Sequence, residues 1–123
     1  MEEVLIKRVM PNSLEAEQSV IGSMIMDKEA IIVAIEMLLP EDFYYRQNGL
    51  LFQAMTELYN AGEPVDLVTL QARLKAMDAP EEISSLEFVR DLVTAVPTSA
   101  NVKSYAQIVK DKSVLRALIR VTE

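Results

Sequence analysis

The chain has 123 residues, half of them apolar, with 19 acidic and 12 basic side chains and a formal charge of −7, which suits one domain with a single modest core. It contains neither Cys nor His, which excludes thiol nucleophiles, imidazole bases, disulfides, Cys- or His-ligated zinc and a histidine pH switch. An acidic chain repels phosphate backbones, so duplex DNA is not the expected direct partner; the lack of Cys and an N-terminus that reads as neither signal peptide nor membrane span favour a cytoplasmic protein.

Residues 1–12 read as an N-terminal arm. Asn12, with Glu15 three positions on, predicts a capped start for a first helix over Ser13 to Met26. Gly22 lies inside that helix at a cost of about 1 kcal/mol relative to Ala, which points to close approach of another helix or of a partner chain. Asp27 caps a second helix carrying Ile31, Ala34, Ile35 and Leu38, which Pro40 ends. Pro40 to Gln47 breaks the period and predicts a turn whose Phe43, Tyr44 and Tyr45 plug the core. A third helix shows Leu51, Ala54, Met55 and Leu58 at i, i+3, i+4, i+7, and Gly62 supplies a left-handed terminator. Asp66 caps a fourth, with Leu67, Leu70, Leu74 and Met77 on one line. Asp78 to Ile83 reads as a loop. Ser84 with Glu87 predicts a capping box for a fifth helix, closed by Pro97 and carrying Leu86, Val89, Leu92 and Val93 on its buried face. The sixth and longest runs from Asn101 to Val121, with Tyr105, Ile108, Val109, Leu115, Leu118 and Ile119 on one side. Its period persists to the last residues, which predicts that the element continues beyond Glu123. The fold class is all-α, a compact bundle of about six helices, divided as an arm (1–12), a globular head (13–97) and a long helix (98–123).

Charge is uneven along this plan. Residues 1–102 carry 17 acids and 7 bases, whereas residues 103–123 carry 2 acids and 5 bases (Lys103, Lys110, Lys112, Arg116 and Arg120). Such a tail is either a solvated face or a polar seam for a partner protein.

The chemistry-bearing patterns are sparse. With glycines only at 22, 49 and 62, there is no phosphate-cradling loop, so no cofactor-binding residue is assigned. The pairs Glu15/Glu17, Glu41/Asp42 and Glu81/Glu82 lack calcium-loop spacing, so no metal ligand is assigned. No Ser has an activating base nearby, so no catalytic residue is assigned and the chain is read as non-enzymatic. The methionines, including Met24, Met26, Met55 and Met77, fall mostly on the Leu and Ile stripes and read as core. Tyr59, Tyr105 and Phe88 lack the basic groove of a base-stacking platform and read as core or interface anchors.

Several stretches taken in order carry a family resemblance: Leu14-Glu15-Ala16-Glu17-Gln18-Ser19-Val20-Ile21-Gly22 after Pro11, Pro40-Glu41-Asp42-Phe43-Tyr44, Leu51-Phe52, and Gly62-Glu63-Pro64-Val65-Asp66-Leu67-Val68-Thr69-Leu70. Pro97-Thr98-Ser99-Ala100-Asn101, Tyr105-Ala106, Ile108-Val109 and Arg116 complete the series. Together they resemble the N-terminal domain of bacterial replicative DNA helicases of the DnaB type. Asn48 departs from a frequent His, and Glu81 to Ser85 from a common glycine pair; both sites look structural. The resemblance implies that a hexameric parent carries a separate RecA-like motor using ATP and magnesium to unwind DNA at the replication fork. This head, with the long helix leading toward a hairpin, linker and ATPase domain, would form its collar. The implied partners are further copies of itself, as a dimer or trimer of dimers, the helical C-terminal domain of primase, and a helicase loader. Interface candidates are Leu86 and Phe88 on the fifth helix and Leu115, Arg116 and Ile119 on the sixth, since large apolar anchors and Arg carry much of an interface's energy. Core burial accounts for the four apolar ones equally well. The competing readings are a free-standing helical adaptor and a small helical DNA-binding regulator using Asp66 to Met77, where Gln71, Arg73 and Lys75 are the available base readers.

Overall fold

Ser13, not Asn12, opens the first helix. In the computed structural model, which describes residues 9–94 and 99–122, Ser13 has extended backbone and its hydroxyl accepts from the Ala16 N–H at 3.1 Å, so the cap lies one residue beyond the predicted position. Asn12 turns its amide back onto the Met10 carbonyl. Helix α1 (Leu14–Met26) ends at Asp27, which caps α2 (Lys28–Met37) by accepting from the Glu29 N–H at 3.0 Å. A 3-10 turn (Pro40–Asp42) follows, then α3 (Arg46–Asn60), α4 (Leu67–Ala76), α5 (Glu81–Ser84), α6 (Leu86–Thr94) and α7 (Val102–Thr122). Among the described residues all regular structure is helical, which agrees with the all-α reading.

The helix ends follow backbone chemistry closely. After α3, Gly62 takes φ +73°; its N–H reaches the Tyr59 carbonyl while the Glu63 N–H reaches that of Leu58. That pairing satisfies carbonyls the helix leaves open. The end of α4 repeats it with a residue less suited to the role, for Asp78 takes φ +58° while the Asp78 and Ala79 N–H groups bond to the Lys75 and Leu74 carbonyls. Asp66 caps α4 reciprocally with Thr69. The expected loop over Asp78 to Ile83 contains a helical turn, α5, whose acidic residues Glu81 and Glu82 lie in its first turn, where the helix dipole favours them. The hydroxyl accepting from the start of α6 is that of Ser85, bonded by the Phe88 N–H at 3.2 Å. Ser84 is buried and donates to the Glu81 carbonyl, so the predicted Ser84 cap is displaced by one residue. The predicted stop at Pro97, and with it the boundary between 97 and 98, lies outside the described residues.

Helix α1 is the hub, packed by α2, α3, α6 and α7, while α4 bridges α3 to α5 and α6. Val20, Ile21 and Met24 of α1 meet Ile31, Leu51, Phe52, Met55, Leu70, Leu74, Val89 and Val109 in one continuous core. Gly22 is buried on this hub. Phe43 enters the core with its ring 5.0 Å from that of Phe52. Tyr44 stays 36 % exposed, edge-on to Tyr45, so one aromatic of the expected three fills the core. Between α3 and α4, Arg73 forks onto Glu57 through Nε and Nη2 at 2.9 and 2.7 Å.

A Cβ at Gly62 meets no atom within 4 Å, so Gly62→Ala isolates the backbone penalty of the left-handed conformation and lowers stability by about 1–2 kcal/mol. Asp78→Gly relieves the same strain and raises it by about 0.5 kcal/mol, both read by urea denaturation. The hydrogen bond from Arg73, with a smaller one from Gln53, holds the Glu57 carboxyl below its usual range against slight desolvation. A depressed folded pKa contributes stability above the unfolded carboxylate range and loses it as pH falls through the folded value. Since both partners are about a third or more exposed, Glu57→Gln should cost less than about 1 kcal/mol at neutral pH, and the difference should vanish in acid.

Candidate functional site

Helix α7 has two apolar faces. Val102, Ala106 and Val109, at i, i+4 and i+7, are buried against the head. Val114, Leu118 and Val121 repeat that spacing but are 46, 58 and 82 % exposed, with Leu115 at 43 % beside them. The second stripe starts twelve residues after the first, and at 3.6 residues per turn it is rotated by about a third of a turn away from the core. The expected single face is therefore corrected. Tyr105 and Val109 turn inward, Ile108, Leu115 and Leu118 outward, and Ile119 is half-buried. A contiguous set of aliphatic side chains left in water along one helix is the kind of surface that marks interaction sites.

Beyond Val109, α7 is tied to the head by a set of polar contacts among the described residues. The Asp42 carboxylate accepts from the Leu39 N–H at 2.8 Å, from Ser113 Oγ at 2.7 Å and from Lys110 Nζ at 3.4 Å. Arg116, only 2 % exposed, donates from Nη1 to the Pro11 carbonyl at 2.8 Å and from Nη2 to the Asp42 carbonyl at 2.7 Å. Its guanidinium also lies 5.4 Å from the centre of the Tyr44 ring, within cation–π reach. Tyr44 is in turn fixed from α1. The Glu17 carboxylate, 1 % exposed, accepts from the Tyr44 N–H at 2.7 Å, the Tyr45 N–H at 3.3 Å and Asn48 Nδ2 at 3.0 Å.

The sequence-derived candidates thus separate. Leu115 and Ile119 lie on α7 at or beside the exposed stripe, whereas Arg116, expected as a partner-facing anchor, is buried and occupied within the head. Phe88 is partly buried against the core on α6 and borders a cleft of about 250 Å³ with Arg46, Leu50 and Ile83. Leu86 opens the same helix, and its side chain lies outside what the structure describes. Helix α6 packs on α1, α4 and α5, and α7 on α1, α2 and the 3-10 turn, so the two candidate groups sit on helices with different neighbours apart from the shared α1. Val114, Leu118 and Val121 were missed as surface residues, although their i, i+4, i+7 spacing is visible in the sequence. Two of the five tail bases, Lys110 and Arg116, are spent on the Asp42 turn, so the tail is not simply a solvated basic face. Of the supposed base readers on α4, Arg73 is already bound to Glu57. Among the described residues no group of three acidic side chains could hold a metal ion, and no helix is long and apolar enough to cross a membrane.

Residues 9–111 match the family of the DnaB-like helicase N terminal domain. The chain is 48 % identical over 120 residues to the replicative DNA helicase DnaB of Geobacillus stearothermophilus, and 42 % identical over 120 residues to the replicative DNA helicase DnaC of Bacillus subtilis. Each alignment covers 98 % of this chain and 26 % of the relative, so the chain spans about a quarter of the length of these helicases. The crystal structure of the N-terminal domain of DnaB helicase from Mycobacterium tuberculosis superposes with a TM-score of 0.89 at 38 % identity, covering 93 % of this chain and 79 % of that one. The N-terminal domain of DnaB helicase from Helicobacter pylori, described with its interactions with primase, has the same fold, with a TM-score of 0.75 at 24 % identity over 88 % of this chain and 84 % of that one.

Removing the Glu17 carboxylate leaves two backbone donors and the buried Asn48 amide without their acceptor. Glu17→Ala should cost about 2–4 kcal/mol and Glu17→Gln, which keeps one acceptor oxygen, about 1–3 kcal/mol, read as shifts of the urea midpoint at unchanged slope.

Proposed function

Because the chain belongs to the family of DnaB-like helicase N-terminal domains, we propose that it is the collar head of a hexameric replicative DNA helicase, acting in DNA replication in the cytoplasm. Its work is assembly and docking, with no catalysis of its own. ATP and magnesium belong to a motor domain outside these residues. The observation that carries the reading is the uncovered stripe Val114, Leu115, Leu118 and Val121 on a helix whose other face is fixed in the head. A second copy is the first partner such a stripe suits, since two identical stripes bury each other about a twofold axis. Each large aliphatic side chain taken fully out of water contributes about 1.5–3 kcal/mol, and a pair of stripes offers four from each copy. Set against an association cost of about 4–15 kcal/mol, this supports a dimer of modest affinity that higher assembly would reinforce.

Primase is the second proposed partner, through its helical C-terminal domain, and the interactions described for the Helicobacter pylori relative support this reading. A helicase loader is a third. An amphipathic helix laid along the exposed face of α7 is the physical form that docking takes.

Sedimentation of the chain should show a mass that rises with concentration. Leu118→Asp places a charge in the middle of the stripe and should leave the protein monomeric at every concentration, while its stability stays within about 0.5 kcal/mol because the side chain is exposed. A wild-type chain that remains monomeric throughout would remove self-association from the proposal. Titration with the primase C-terminal domain, followed by calorimetry, tests the second partner separately.

A further inference from the structure

The anchoring of α7 to the head changes character along its length. Up to Val109 it is apolar, through Val102, Ala106 and Val109. Past that point the anchors are Lys110, Ser113 and Arg116, spaced i, i+3 and i+6 along one side of the helix, and all three meet the Asp42 turn through hydrogen bonds. Arg116 is also the last buried residue on α7 among those described. Its two nitrogens end on different segments, one on Pro11 at the entrance to α1 and one on Asp42 after α2.

Burying a guanidinium against two neutral carbonyls is a poor way to gain stability, since an apolar side chain of similar volume avoids the desolvation cost. What the planar fork supplies is direction, because its donors lie in fixed geometry. The stem of Arg116 sits on α7, its fork on two other segments, and its face over Tyr44, whose backbone is held by Glu17 of α1.

We propose that Arg116, with Asp42, Ser113 and Lys110, is a polar strut that fixes the angle at which α7 leaves the head, and so the direction in which the stripe Val114 to Val121 is presented. The proposal rests on the collar reading for the stripe's purpose, but the strut itself is a property of the isolated chain. Apolar packing resists displacement in every direction and is not undone by one exchange of partners, whereas these few hydrogen bonds can be traded for others. A partner offering carbonyl or carboxylate groups to Arg116 and Lys110 would let α7 swing without disturbing the core. With the strut removed, the pivot moves back to Val109, and Arg120 lies about 16 Å along the helix from it. Over that arm a swing of roughly 20° displaces the end by about 5 Å.

The chain has no Cys, so spin labels can be placed at will. Labels at the exposed positions of Lys75→Cys on α4 and Arg120→Cys on α7 report the angle by double electron–electron resonance, in a Leu118→Asp background so that any pairing of copies adds no distances. The strut predicts one narrow distance distribution with Arg116 in place. In Arg116→Met it predicts a distribution broadened or shifted by about 5 Å with the helical circular dichroism retained, and in Arg116→Lys, which keeps charge without the fork, an intermediate width. A folded Arg116→Met protein with the original narrow distribution would overturn the proposal. Should Arg116→Met fail to fold, the pair Lys110→Ala and Ser113→Ala removes the α7 partners of the Asp42 carboxylate and leaves Arg116 in place. The same broadening then supports the strut, and an unchanged distribution overturns it. Failure of the stripe to associate in the wild-type chain would refute the collar reading and leave this distance test intact.

Discussion

A segment between helices that turns part of its backbone toward the body of the domain has to find hydrogen-bond partners for it, and much of this fold is arranged around meeting that demand between Leu38 and Tyr45. No neighbouring strand or helix supplies the ladder. Instead Glu17 of α1, 27 residues away from Tyr44, accepts from the amides of Tyr44 and Tyr45. The Asp42 side chain accepts from Leu39, and Arg116, 74 residues from Asp42, binds the Asp42 carbonyl. Because low dielectric strengthens these bonds and makes an unpaired group expensive, the turn, α1 and α7 hold one another in place. Phe43 can then enter the core and Tyr44 can lie beneath the guanidinium.

This dependence also explains the division of labour on α7. Its first apolar stripe is consumed by the head, and the second is carried away from the core by simple helix geometry. Neither stripe could do both jobs. A single wide apolar face would have been buried in the head and left nothing to present, and a fully polar distal half would have offered no driving force for association. The strut residues lie between these two demands, joining the helix to the head by contacts that do not use up the exposed aliphatic surface.

Much of the architecture was legible in the sequence because it depends on local rules. Asp27 and Asp66 cap the helices where their side chains and spacing place them, Gly62 adopts the left-handed conformation its position demands, and the stripes of α3 and α4 face inward. Single-residue shifts, Ser13 for Asn12 and Ser85 for Ser84, arise where two adjacent polar residues can serve equally by composition. What local rules could not show was the role of Glu17. In sequence it is the second member of a surface-like acidic pair, and only the return of the chain at Tyr44 makes it a buried acceptor. Arg116 was noticed through a family resemblance and as the kind of residue that anchors interfaces, yet its partners are 74 and 105 residues distant. The stripe on α7 was obscured for a different reason: its apolar residues occupy two faces, and a search for one face merges them.

The hub position of α1 has a further consequence for how the chain is made. This helix is synthesised before the other described helices, yet its partners include α6 and α7, and the Arg116 bond to Pro11 spans 105 residues. For a helical protein that is a highly non-local topology, and such contacts must wait for loop closure. During translation α1 therefore emerges with α2 and α3 available to it, while the part of its surface that α6 and α7 cover stays open until α7 has cleared the ribosome. At roughly 5–20 residues per second, that leaves part of an apolar helix exposed for several seconds, a window in which chaperone capture or mispairing with a neighbouring nascent chain competes with folding.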